Sequence, residues 1–212
     1  MAADQAAGLR RRRTARAASC LHLHSSQAAT ARRLLAALTR QGLDTLLIDT
    51  QGRHLDHAPR SLFDWRRQLA RQQLHLHALP AGAAWHAPGV EADAAALAML
   101  SARYDCLVFD HPLDTGSAVA PPFPGHVRVL DVSLADLKPA YRLLKTLAHQ
   151  ACGADILLLG EVAACARLEA ACRQFLDAAR AQRIGTLAHE TDAFAALAVR
   201  MAGEETGPQA VT

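Results

Sequence analysis

The stretch DCLVFDHP (residues 105–112) decides how this chain folds. Four apolar residues, Cys106 to Phe109, stand between two aspartates and stop at a histidine and a proline. A short apolar run without alternation is what a strand buried on both faces requires, and such strands belong to parallel sheets covered by helices. The same kind of run recurs in DTLLIDT (44–50), VRVLDVS (127–133) and ADILLLGEV (154–162). Two further strand-like words, SCLHLHS (19–25) and LHLHALPAG (74–82), share an LHLH core.

Segments with helical spacing separate these strands. AATARRLLAALTRQG (28–42) closes on Gly42, a residue suited to a left-handed helix cap, and SLFDWRRQLARQQ (61–73) opens on a capping serine. EADAAALAMLSARY (91–104), LADLKPAYRLLKTLAHQAC (134–152) and ACARLEAACRQFLDAARAQR (164–183) follow, and a Pro/Gly-rich loop, DTGSAVAPPFPGH, precedes the strand at 127. Six strands alternating with helices predict an α/β domain: a doubly wound, mainly parallel sheet with helices on both faces, because parallel neighbours need crossovers. The domain is expected over residues 19–203, behind a flexible arm (1–18) and ahead of a disordered tail (204–212).

Composition narrows the function. Of 212 residues, 51% are hydrophobic and 20% charged, enough to build a core. The net charge of +3 is too mild to argue for a nucleic-acid partner, and Arg10, Arg11, Arg12, Arg13 and Arg16 place it in the arm. The five cysteines are odd in number and lack CxxC spacing, which fits reduced thiols in a cytoplasmic protein. No apolar run reaches membrane-spanning length, and no secretory apolar region follows the arginines.

In an open parallel sheet, chemistry is expected at the carboxyl ends of the strands. A phosphate cradle after the first strand would need glycines, whose backbone N–H groups wrap the phosphates, and a lysine. The chain instead offers SSQAATARR (25–33), with neither. Ser25, Ser26 and Thr30 remain there as hydroxyls, and Asp49 and Asp110 end two of the strands. His22 with His24, and His75 with His77, form HxH pairs; four imidazoles would converge if their strands were neighbours, but hydrogen-bonded core histidines are the expected outcome. Cys165 and Cys172 share one helical stripe and are expected in the core. No GxSxG elbow occurs, and Ser25, Asp110 and His111 make no convincing triad.

Three of these words, in this order, resemble the MinD/ParA family of P-loop ATPases. They are DTLLIDT, YDCLVFDHP (104–112) as the strand ending in the metal-site aspartate, and LADLKPAYRLLKTL (134–147) as the helix after the next strand. The resemblance spans residues 19–160. The N-terminal word DQAAGLR (4–10) is in turn similar to the motif of the flagellar number regulators of the FlhG or FleN type. That likeness implies a MinD-like domain behind an arm that docks, as a short helix, on the flagellar GTPase FlhF, a signal-recognition-particle-type enzyme, and stimulates its GTP hydrolysis.

The implied contacts are Gln5 as the key polar group, Asp4 and Arg10 as flanking polar groups, and Ala6 with Leu9 as the apolar anchor. On a helix, Ala6 and Leu9 do fall on one side at i, i+3 spacing. The family's lysine-bearing, glycine-rich loop is missing, so the chain is expected to be a pseudo-ATPase with no cofactor and no metal. Ser25, Ser26, Thr30, Asp49 and Asp110 would then form a vestigial nucleotide site. The resemblance further implies a flagellar transcription regulator or switch-complex proteins as partners, and recruitment to the cell pole or flagellar base. Membrane contact is expected to be weak or indirect, since DAFAALAVRMAG (192–203) carries one basic residue. Two alternatives stand: an active ATPase with an atypical nucleotide loop, and a MinD-like scaffold in a bacterial secretion or polysaccharide system.

Overall fold

Leu21 and Leu23 leave the first strand on one face and His22 and His24 on the other, and this period-two alternation organises the molecule. The computed structural model describes residues 18–50, 53–54, 63–64, 67, 76–78, 103–113, 127–149 and 155–203. Seven strands lie in one sheet: β1 (Ser19–His24), β2 (Thr45–Asp49), β3 (Leu76–Ala78), β4 (Cys106–His111), β5 (Val127–Val132), β6 (Asp155–Gly160) and β7 (Ile184–Thr186). Their order is β3-β2-β4-β1-β5-β6-β7, and every pair is parallel. The expected sheet is therefore present with one strand more than predicted. Ile184-Gly185-Thr186 is too short to display a period.

The helices are α1 (Ala28–Arg40), α2 (Leu137–His149, after a 3-10 turn at Leu134–Asp136), α3 (Val162–Phe175), α4 (Ala178–Ala181) and α5 (Ala193–Ala202). Buried Ala31, Leu34, Ala37 and Leu38 form the inner stripe of α1. Gly42 ends it at φ +79°, with Leu43 N–H donating to Leu38 O (3.1 Å) and Gly42 N–H to Thr39 O (2.9 Å). Those two bonds satisfy the last carbonyls, which is why a glycine stands there.

One sheet face carries Leu21, Leu23, Val108, Val129 and Leu157 against Leu34 and Leu38 of α1 and Phe194, Leu197 and Met201 of α5. The other carries Leu130, Val132, Ile156 and Leu158 against Leu143, Leu144 and Leu147 of α2 and Cys165, Leu168 and Cys172 of α3. The connection from β1 to β2 thus uses one face, and those from β5 to β6 and β6 to β7 the other. Right-handed crossovers running in opposite directions from the centre require this. The reversal opens a crevice at the carboxyl ends of β1 and β5, where open α/β sheets bind ligands.

One element differs from expectation. Residues 164–183 break at Leu176, which turns to extended backbone and buries its side chain, and Asp177 restarts the chain as α4 by accepting from Arg180 N–H. The segment 192–203 is a core helix: Phe194, Leu197, Ala198 and Met201 are buried, Asp192 caps it and Gly203 closes it at φ +78°. Of the helix expected at 61–73, Phe63, Asp64 and Arg67 have helical backbone. Of the helix expected over 91–104, residues 91–102 lie outside the described residues and Arg103 and Tyr104 are not helical; the arm with Asp4, Gln5, Ala6, Leu9 and Arg10, Cys152 and the tail 204–212 also lie outside the described residues. Among the described residues, no helix is long and apolar enough to cross a membrane.

Candidate functional site at the carboxyl edge

Only Ser25, Ser26 and Gln27 connect β1 to α1. Three residues cannot wrap a polyphosphate, and none of them is a glycine. Ser25 is turned inward, while Ser26 and Gln27 are exposed. Buried Ser25 accepts the Gln27 N–H (2.9 Å), and its hydroxyl donates to Asp131 Oδ2 (3.1 Å). Thr30, in the first turn of α1, donates to the same oxygen at 2.5 Å. Ser26 donates to Asp136 (3.2 Å), which also accepts from Ser133 (2.7 Å). The hydroxyls expected at a nucleotide site are therefore held by carboxylates of this chain, at the helix end that would otherwise favour an anion.

On the other side of β1, Asp49 and Asp110 occupy facing register positions on β2 and β4, and both are fully buried. The loop after β2 returns over them. His54 N–H donates to Asp49 Oδ2 (2.7 Å), and His54 Nε2 lies 2.9 Å from Asp110 Oδ2. Arg53 Nη2 reaches Asp110 Oδ1 (2.8 Å) and Oδ2 (2.9 Å), while Nη1 donates to the Ser25 carbonyl (3.1 Å). Burial pushes the Asp110 carboxyl above the usual carboxylate range, against the opposing pull of Arg53 and His54.

Sequence reasoning named five residues at this edge, and the fold divides them into two groups. Ser25, Ser26 and Thr30 gather around Asp131 and Asp136, and Asp49 and Asp110 around Arg53 and His54. It missed Asp131, Arg53 and His54. Asp131 had a signal, since it ends an apolar run as Asp49 and Asp110 do and lies on the same face. Arg53 and His54 had none, because a loop side chain is placed by the path of the loop rather than by any period.

Between α1, the β5 and β6 ends and the start of α5 lies a cavity of about 550 Å³. Among the described residues, Asp131, Asp136, Glu161, Glu190 and Asp192 line it, against one basic side chain, Arg33. The Arg33 guanidinium stacks 4.3 Å over the Phe194 ring. The crevice at the sheet's reversal is thus electronegative, the wrong sign for a triphosphate.

The histidines gather differently from the convergence considered above. β4 and β2 stand between β1 and β3, so the strand of His22 and His24 is not a neighbour of the one that carries His77, while His75 lies outside the described residues. They stack instead with His111, at ring separations of 5.3 and 4.9 Å, and His22 Nδ1 lies 3.1 Å from His111 Nε2. Burial, with Arg128 adding to it, lowers the His24 pKa to about 3. Cys106, Cys165 and Cys172 are buried core residues, the last two as expected. Burial pushes the Cys106 thiol up to about 12 and those of Cys165 and Cys172 to about 11, so none is a thiolate nucleophile.

A central β1 flanked by β4 and β5, with helices on both faces, makes this a doubly wound, all-parallel α/β fold. No protein-family model and no curated protein matches the chain. Among solved structures, a LAO/AO transport system kinase aligns over 89% of this chain at 14% identity and a TM-score of 0.30. The chain spans 66% of the length of that protein.

Proposed function

We propose that this chain is a non-catalytic regulator of flagellar number or placement. It is a MinD-like pseudo-ATPase that acts through its N-terminal word on the GTPase FlhF. The observation that carries the reading is the three-residue turn after β1, whose hydroxyls are spent on Asp131 and Asp136. Such a turn leaves no cradle for phosphates and no group to orient an attacking water. A nucleotide-switch fold without its own switch chemistry exerts its effect through a surface or an arm. The arm's DQAAGLR word supplies a compact set of contacts for that purpose: Gln5 to orient a polar group in the partner's site, Asp4 and Arg10 beside it, and Ala6 with Leu9 as anchor.

GTP turnover by FlhF, measured with the full chain and with its Gln5→Ala variant, tests this. The wild-type chain is expected to raise turnover by about tenfold or more, with the gain lost in the variant. No stimulation, or stimulation indifferent to Gln5→Ala, would contradict the proposal.

A further inference from the structure

Asp49, His54 and Asp110 bring three metal-ligating side chains together, with ligand atoms within 4.8 Å of one another. The two aspartates project from facing positions on β2 and β4 and are fully buried, and the His54 side chain is 4% exposed. His54 Nε2 and Asp110 Oδ2 are hydrogen-bonded at 2.9 Å, and an ion that displaces the shared proton would find them spaced as adjacent donors on an octahedral ion whose bonds are about 2.1 Å long. One imidazole with two carboxylates suits a divalent ion that accepts nitrogen as well as oxygen, such as Mn²⁺, Co²⁺ or Zn²⁺.

A cation already stands there. A single nitrogen, Arg53 Nη2, straddles both oxygens of Asp110 at 2.8 and 2.9 Å, the position a metal ion would take on a bidentate carboxylate. The guanidinium is held incompletely. Nη1 bonds the Ser25 carbonyl, while the buried Nε has no acceptor among the described residues. His54, by contrast, is fixed by its own backbone N–H on Asp49 and keeps its imidazole on Asp110 without help from Arg53. The backbone anchor of His54 on Asp49 is separate from the plug, whereas Arg53 Nη2 and His54 Nε2 share Asp110 Oδ2, and the plug is the less completely satisfied.

We propose that Arg53 is a built-in cation closing a divalent-metal site formed by Asp49, His54 and Asp110. Withdrawal of its guanidinium opens that site to a transition-metal ion. The proposal stands whether or not the arm acts on a GTPase.

Co²⁺, followed by its visible absorption, is the probe. It is titrated at neutral pH into the full chain, into Arg53→Ala and into Arg53→Ala/His54→Ala. Arg53→Ala is expected to bind Co²⁺ at least about tenfold more tightly than the wild type, and the added His54→Ala to remove the gain. Equal affinity in wild type and Arg53→Ala would overturn the proposal, as would a gain that survives His54→Ala. If losing the guanidinium unfolds the chain, recovery of helical ellipticity on adding Co²⁺ supports the proposal, and failure to recover refutes it.

Discussion

His24 shows how one side chain couples the sheet to pH. It stacks on His111 and is buried at 6% exposure, with its pKa lowered to about 3 from 6.5. The folded chain keeps it neutral where the unfolded chain takes up a proton, so its contribution to stability is intact above pH 6.5 and is lost progressively as pH falls towards 3. Between pH 7 and pH 5 the loss from this residue is about 2 kcal/mol. Urea unfolding of the wild type at the two pH values measures it. His24→Gln keeps a donor for the Pro112 carbonyl without titrating, and is expected to flatten the difference. The histidine pairs were legible as strand residues from their alternation. That His22 and His24 would meet His111 was not, because a period fixes a face and leaves the neighbouring strand open.

At the scale of elements, the carboxyl edge depends on close backbone approach. Gly160 ends β6 at φ +111°, and a Cβ there would stand 2.3 Å from the Val132 carbonyl oxygen and 2.9 Å from Asp131 Oδ1. The Val132 oxygen also accepts the Glu161 N–H that starts the turn into α3. Gly160→Ala should therefore destabilise the chain by about 3 kcal/mol, combining left-handed strain with a backbone clash, as read from the denaturation midpoint. Asp131, which holds Ser25 and Thr30, would be displaced with it. The buried strands β2, β4, β5 and β6 and the Gly42 cap were readable because apolar runs and cap chemistry are local. The break at Leu176 was not, because the burial of that leucine is set by tertiary packing, although the capping carboxylate of Asp177 is itself a local signal. The apolar stripe of α5 was visible in residues 192–203, and its pairing with α1 decided that it faces the core.

Across the whole molecule, the carboxyl edge of the sheet is taken up by contacts between residues of the chain itself. The reversal of strand order at β1 and β5 makes a crevice, yet the turn beside it is three residues long and its hydroxyls bond carboxylates of the chain. Among the described residues, the cavity beyond is lined by five acidic side chains and one arginine, and Arg53 covers Asp110 on the opposite side of β1. The doubly wound sheet and the absent phosphate loop could both be read from composition and spacing. Of the internal partners, Asp131 carried a signal as a strand-end aspartate, while Arg53 and His54 find their places only once separate segments meet.

Titration of the full chain with Mg²⁺·ATP, followed by calorimetry, tests the central claim most directly. The account predicts no binding heat up to millimolar nucleotide, an affinity weaker than about −4 kcal/mol. Stoichiometric binding that disappears in Asp110→Ala would contradict it, and would restore an active ATPase with an atypical loop.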